Sequence, residues 1–172
     1  MFRTRYRPLF MLILLSLAAC NEAPQESTDA GQTTDAERYT LELDMLQFME
    51  LVLEPVADGL WDSAGWIDDI EEGYFELYPT TDEGWEAVRH NAAMVVEAGN
   101  ALALPSRAYD DDAWLTYSQA MSDVGLQAMA AAEARNEEEL FQAGARLYSV
   151  CTACHQAYNP ELSRFVDDEP QR

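Results

Sequence analysis

Apolar side chains recur at helical spacing in four stretches of this chain. In the first, from about residue 37 to 60, Leu41, Met45, Phe48, Met49, Val52, Val56 and Leu60 form one stripe, the mark of an amphipathic helix with a core-facing side. Pro55 lies inside it and predicts a kink or interruption, because proline removes a backbone donor. The second helix is expected to open at Thr80, with Glu83 completing a capping-box pattern. It turns Trp85, Val88, Ala92, Val95 and Leu102 inward and closes before Pro105. The third follows Asp110–Asp112, acids well placed at a helix N-terminus, and shows Trp114, Tyr117, Met121, Val124 and Ala128. Asn136 and Glu139 make a second capping pattern, and the fourth helix runs from there to about Tyr158, where Asn159-Pro160 stops it.

Between the first and second helices, residues 65–79 carry no helical stripe. Trp66–Ile70 and Tyr74–Tyr78, separated by a turn containing Gly73, read as a small hairpin. The other connections are short, so consecutive helices should pack antiparallel. The expected fold class is all-α, an up-down-up-down four-helix bundle over residues 37–160.

Composition agrees with a helical core. Of 172 residues 48% are apolar, while glycine and proline number only 8 and 7. Charge narrows the partners. Ten basic side chains, all arginine, stand against 32 acids, a net charge of −22. Nucleic acid is excluded as a partner, since phosphate binding needs a basic footprint. A solvated acidic face would steer towards basic partners.

The N-terminus reads as a processing segment. Arg3, Arg5 and Arg7 precede a short apolar run, Leu9 to Leu17, too short to span a bilayer. Leu17-Ala18-Ala19-Cys20 resembles the bacterial lipobox, which predicts a signal peptide over residues 1–19 and lipidation of Cys20. Several acyl chains would give a stable anchor on the periplasmic side of the envelope. Asn21 after the cysteine favours the outer membrane. An ordinary signal cut near Ala19 would instead leave a soluble periplasmic protein. Without its first nineteen residues the chain has seven basic and 32 acidic side chains, a net charge of −25. Residues 21–36 hold no large apolar side chain, and with Cys20 they should act as a flexible tether. Residues 161–172 form a C-terminal tail.

The chemistry sits at the end of the fourth helix, in Cys151-Thr152-Ala153-Cys154-His155. Positions i, i+3 and i+4 of a helix lie on neighbouring parts of one side. Two thiols so spaced can reach the two vinyl groups along one porphyrin edge, and the next imidazole can ligate the iron. This spacing is the attachment signature of c-type haem. A thioredoxin-like pair would start a helix beside a sheet rather than end one. Zinc would need further ligands, and only His90 and carboxylates are left. His90 shares a helix face with Glu86, Ala93 and Glu97, away from the apolar stripe, and should be solvent-exposed. The sequence offers no Ser-His-Asp pattern and no glycine-rich phosphate loop.

A four-helix bundle ending in Cys-x-x-Cys-His resembles the cytochrome c′ superfamily. Phe48-Met49 leading to Glu54-Pro55, then Trp61, then Pro79-Thr80-Thr81 with Trp85, resembles a bacterial branch of it. The likeness spans about residues 37–160. Family members commonly carry Arg or Lys four residues after the haem histidine; here that position is Asn159, so the family's gas-binding behaviour does not carry over directly. The resemblance implies that the first helix supplies the residue facing the sixth iron position: apolar in gas-binding members, Met in low-spin ones. Met49 matches that position, with Met45 one turn earlier. Trp114, Tyr148 and Tyr158 are candidate haem walls, although packing explains them equally well.

The expected function is electron transfer by a monohaem c-type cytochrome, not an enzyme. Cys151 and Cys154 hold one covalent haem c, His155 is an axial ligand and Met49 the sixth. Partners would be redox proteins and, through the anchor, a membrane, with a homodimer left open. The alternative is a five-coordinate haem protein binding NO or CO.

Overall fold

The computed structural model describes residues 38–71 and 73–161. The expected signal peptide, Cys20 with its whole tether, and the tail beyond residue 161 lie outside the described residues. The described chain is mostly helical, with packed helices and one small antiparallel sheet.

The first helix starts later than the apolar stripe suggests. The Asp44 side chain accepts from the Gln47 N–H at 2.9 Å, and the Gln47 side chain accepts from the Asp44 N–H at 3.1 Å. This reciprocal cap fixes the start, so α1 is Met45–Phe48 and residues 40–44 are a non-helical approach. A π-helical segment, Met49–Leu53, follows and leads directly into α2, Glu54–Trp61. The regular α-helix is interrupted just before Pro55, by the π-helical segment, and the chain stays helical through the proline. Pro55 falls in the first turn of α2, where its missing N–H is tolerated. The Glu54 N–H reaches back five residues to the Met49 carbonyl, so the register shifts just before the proline. The buried residues step from Phe48 to Leu53, Ala57 and Leu60. Met45, Met49, Val52 and Val56 pack against them half-buried.

The later helices follow the sequence pattern closely. Helix α3, Asp82–Leu102, buries Trp85, Val88, Ala92, Val95 and Leu102. Its cap is Thr81, one residue beyond the expected Thr80, because the Thr81 hydroxyl accepts from the Gly84 N–H at 3.1 Å. Helix α4 is Ala113–Ala134 and ends on Arg135 in the left-handed region (φ 51°). Helix α5 is Glu137–Tyr158, with Asn136 accepting from the Glu139 N–H at 3.1 Å.

Helix α2 packs on α3 and α5, α3 on α4, and α4 on α5. The largest fully buried side chains, Leu60, Val88, Val95, Leu140 and Leu147, come from α2, α3 and α5, and α4 adds the fully buried Ala128. Helices α3 and α4 approach closely through small residues. A Cβ on Gly125 would lie 2.9 Å from the Ala92 carbonyl, and one on Gly99 would lie 2.6 Å from that of Ser118.

The chain is not wholly helical: the expected hairpin is present. Strand β1 (Trp66–Asp69) pairs antiparallel with β2 (Gly73–Glu76), Trp66 opposite Glu76 and Asp69 opposite Gly73. The second strand stops short of Leu77 and Tyr78. Gly73 takes φ +81°, which a side chain would resist. Both strands are exposed, and the Trp66 ring stacks on Phe141 of α5 at 5.7 Å.

Candidate functional site

The core stripe of α5, Leu140, Ala143, Gly144 and Leu147, continues at helical spacing to Cys151, Cys154 and Tyr158. Both thiols therefore lie on the core side of the last turns, half-buried, and neither is in a disulfide. His155 is half-buried beside them, and its carbonyl accepts from the Asn159 N–H at 2.8 Å, which closes the helix.

Burial sets the proton chemistry. It pushes the Cys151 thiol up to about 11, with the neighbouring Cys154 adding to the effect, and it raises Cys154 as well. Both thiols stay protonated near neutrality, unlike the low-pKa thiolate of a dithiol oxidoreductase. Burial also lowers the His155 pKa, so its ring is neutral and has a nitrogen lone pair to offer. Among the described residues, no three His, Cys, Asp or Glu side chains converge as a metal-holding group.

Four aromatic rings gather next to this turn. Tyr158 lies edge-on to Trp114 at 5.0 Å and to Tyr117 at 6.3 Å, while Tyr109 sits 4.8 Å from Trp114 and 5.8 Å from Tyr158. Polar atoms lock the group in place. The Trp114 indole N–H donates to the Leu102 carbonyl at 2.8 Å. The Tyr158 hydroxyl donates to Asp110 Oδ2, and Asp110 Oδ1 accepts from the backbone N–H groups of Asp112 (2.9 Å) and Trp114 (3.0 Å). The tyrosine hydroxyl and then these amides hold the Asp110 carboxyl below its usual range, and the same bond pushes Tyr158 up to about 12.

The three expected wall aromatics are not together. Trp114 and Tyr158 adjoin the motif. Tyr148 instead pairs with Trp61 at 6.3 Å on another face and is 55% exposed. It follows Leu147, which points straight into the core, so its own side chain turns outward. Tyr109 and Tyr117 complete the aromatic group around Trp114 and Tyr158. His90 is solvent-facing, 3.2 Å from Glu86, as its helix face suggests.

Met49 opens the π-helical segment and packs half-buried against the core. Met45, one turn earlier, lines an open cleft of about 510 Å³ together with Leu41, Leu43, Arg107 and Tyr109. Tyr109 joins this cleft to the aromatic group beside the motif. No Cα of α1 or of the π-helical segment comes within 8 Å of one in α5, so the two methionines and the motif stand on backbones that are not packed together. Neither the cleft nor Arg107 has a signature in the sequence, because both depend on the aperiodic connection between α3 and α4.

No protein-family model, no curated protein and no solved structure matches this chain.

Proposed function

We propose that this chain is a monohaem c-type cytochrome that carries electrons, built as an up-down-up-down four-helix bundle. The observation that carries the reading is Cys151 and Cys154, free and on one side of the last turns of α5, with a neutral His155 next to them. The ring of packing from α2 to α3, α4, α5 and back to α2 supports the bundle.

The residues present fit a haem. Two unpaired, core-side thiols are available to form thioethers. An apolar and aromatic wall of Trp114, Tyr109, Tyr117 and Tyr158 adjoins them. The nearby cleft falls in the size range of cofactor sites. When bound, the haem supplies one-electron Fe(III)/Fe(II) cycling. Each thiol would add across a vinyl double bond, sulfur to one carbon and proton to the other, with no net change of oxidation state. His155 would give its lone pair to the iron, and the helix-closing bond to its carbonyl holds that turn in place. The Tyr158–Asp110–Trp114 links tie the same turn to the start of α4, which limits movement on electron transfer. Met49 is the proposed sixth ligand and Met45, which faces the cleft, its competitor. The acidic surface would steer basic redox partners. In this reading Cys20 carries the lipid anchor that holds the carrier on the periplasmic side of the envelope.

The deciding experiment is expression in a cell that attaches c-type haem. A pyridine haemochrome typical of two thioethers and an intact mass of chain plus one haem are expected. Cys151→Ser with Cys154→Ser should abolish both signals. Haem that washes out in acidified organic solvent, or no haem at all, would sink the proposal.

A further inference from the structure

The hairpin of β1 and β2 does nothing for the helical core. Neither strand brings a Cα within 8 Å of one in a helix, and none of its described residues belongs to the core or packs against it. It rests on the body through the Trp66 ring stacked on Phe141. A connection between two helices can be made from polar residues alone. This one carries Trp66, Ile67, Ile70, Tyr74 and Phe75, five of the twelve large apolar side chains exposed among the described residues. Ile70, at the turn, is 100% exposed. Ile67 and Phe75 oppose each other across the two strands, on the face away from the Trp66 ring. A two-stranded hairpin is marginal by itself in water. Apolar side chains gathered on one exposed element mark a surface that a partner covers.

Charge indicates which partner. Acids stand at positions 68, 69, 71, 72 and 76, interleaved with the apolar residues, and no Arg, Lys or His occurs anywhere from residue 39 to 88. A second copy of the chain would set the same carboxylates against each other, and like charges across an interface oppose binding. An anionic phospholipid surface would meet the acids on both sides of Ile70 with its own negative charge. The complement is a protein surface with an apolar centre and a rim of Lys or Arg.

We propose that this hairpin is the docking surface for a basic protein partner, with Ile67, Ile70 and Phe75 entering its apolar centre and the neighbouring acids pairing with its rim. The surface is separate from the cysteine motif. Phe141, on which the hairpin rests, precedes Cys151 by ten residues on α5, about 15 Å along the helix axis. A partner held here leaves the other end of α5 open. An interface confined to one hairpin is small, so the complex is transient and weakens as salt is added.

The test uses the full chain in its native cells, with Ile70 replaced by the photo-crosslinking residue p-benzoylphenylalanine. Leu126, an exposed apolar residue of α4, is replaced in the same way as the control. A protein adduct is expected from position 70 and not from position 126, attached through a peptide rich in Lys or Arg. That protein, once purified, should bind the wild-type chain with an affinity that falls with salt. Ile70→Ser should weaken binding about tenfold. D68N combined with E71Q should weaken it about threefold or more and flatten its salt dependence. Helical circular dichroism should be the same in every variant, because none of these side chains packs against the core. An adduct to phospholipid, an adduct to a second copy of the chain, or no excess of adduct at position 70 over position 126 overturns the proposal. So does a partner whose binding ignores Ile70→Ser or the paired neutral substitutions. None of these outcomes depends on haem.

Discussion

The seam between α3 and α4 and the edge where the first helix faces α5 are built on opposite rules. At the seam, Ala92, Gly99, Gly125 and Ala128 bring two backbones together, and the Ser122 hydroxyl donates across to the Val96 carbonyl at 3.0 Å. At its tightest points, Gly99 and Gly125, there is no room even for a methyl group. At the other edge, α1 and the π-helical segment stay out of packing distance of α5, and the side chains there are large and polarizable: Met45, Met49 and the two cysteine sulfurs. Helices that close on each other need small residues. Helices that share a bulky apolar group between them need long, adaptable ones, and methionine is the most adaptable. In the cytochrome reading proposed above, the contrast divides the molecule into a scaffold and a working end.

The scaffold is where a small change should cost most. Gly125→Ala puts a Cβ within 2.7 Å of a Val96 methyl and 2.9 Å of the Ala92 carbonyl and the Val96 nitrogen. The backbone atoms among these cannot step aside. A loss of about 1–3 kcal/mol is expected from overpacking, read as a lower denaturation midpoint at unchanged slope. If Gly125→Ala is neutral, the seam is not the rigid part.

Met49→Leu should do the reverse, costing less than about 1.5 kcal/mol because volume and apolarity are kept. In the cytochrome reading, its effect would fall on the iron. With Met49 as sixth ligand, the wild-type ferric protein is low-spin with a weak far-red band. The variant turns high-spin, loses the band and binds CO readily. A wild type that is already high-spin and insensitive to Met49→Leu would put the NO- and CO-binding reading ahead, and a response confined to Met45→Leu would move the ligand one turn.

The smallest expected effect is at the strap between the two regions, Tyr158–Asp110, which is exposed to solvent. The Asp110 pKa is lowered in the fold, so its share of stability is present above the ordinary carboxylate range and is lost as pH falls through the lowered value. The Tyr158 pKa is raised from 10.0 to about 12, so its share is present below 10 and is lost as pH rises through about 12. The two are one interaction seen from either partner. Tyr158→Phe should lower stability modestly between the carboxylate range and pH 10, where both shares are present, and meet the wild type at the acid and alkaline extremes, so that its profile is flatter. A variant whose profile keeps the wild-type curvature would show that the strap bears no load.

The parts most legible in the sequence were those with uninterrupted periodicity. Every inward residue expected on α3 is buried, and Asn136 caps α5 as its spacing implies. The first helix was less legible for a physical reason. Its stripe was matched to α-helical spacing, which takes in Val52 and Val56, half-buried here, and passes over Leu53, which is buried. The five-residue step from Phe48 to Leu53 only makes sense once the register shift before Pro55 is known. Thr80 and Thr81 compete for one cap, and hydrogen-bond geometry rather than residue type decides between them. At the site, the cysteines and histidine were legible because their chemistry is local. Arg107, Tyr109 and the Asp110–Tyr158 bond were not, since chain segments 48 or more residues apart have to meet first.

The π-helical turn can also be understood as an event in the history of the chain. Such a turn holds one residue more than an α-helix needs, which is how a helix absorbs a single inserted residue without breaking. One extra residue turns everything before it by about 100° relative to everything after it. Phe48 and Met45 are thereby free to meet the α3–α4 connection, while Ala57 and Leu60 keep their places in the core. An ancestor without the insertion would have presented a different side chain to α5 from the same helix. The identity of the residue facing that edge would then be a matter of reading frame along a helix, open to change by one codon gained or lost.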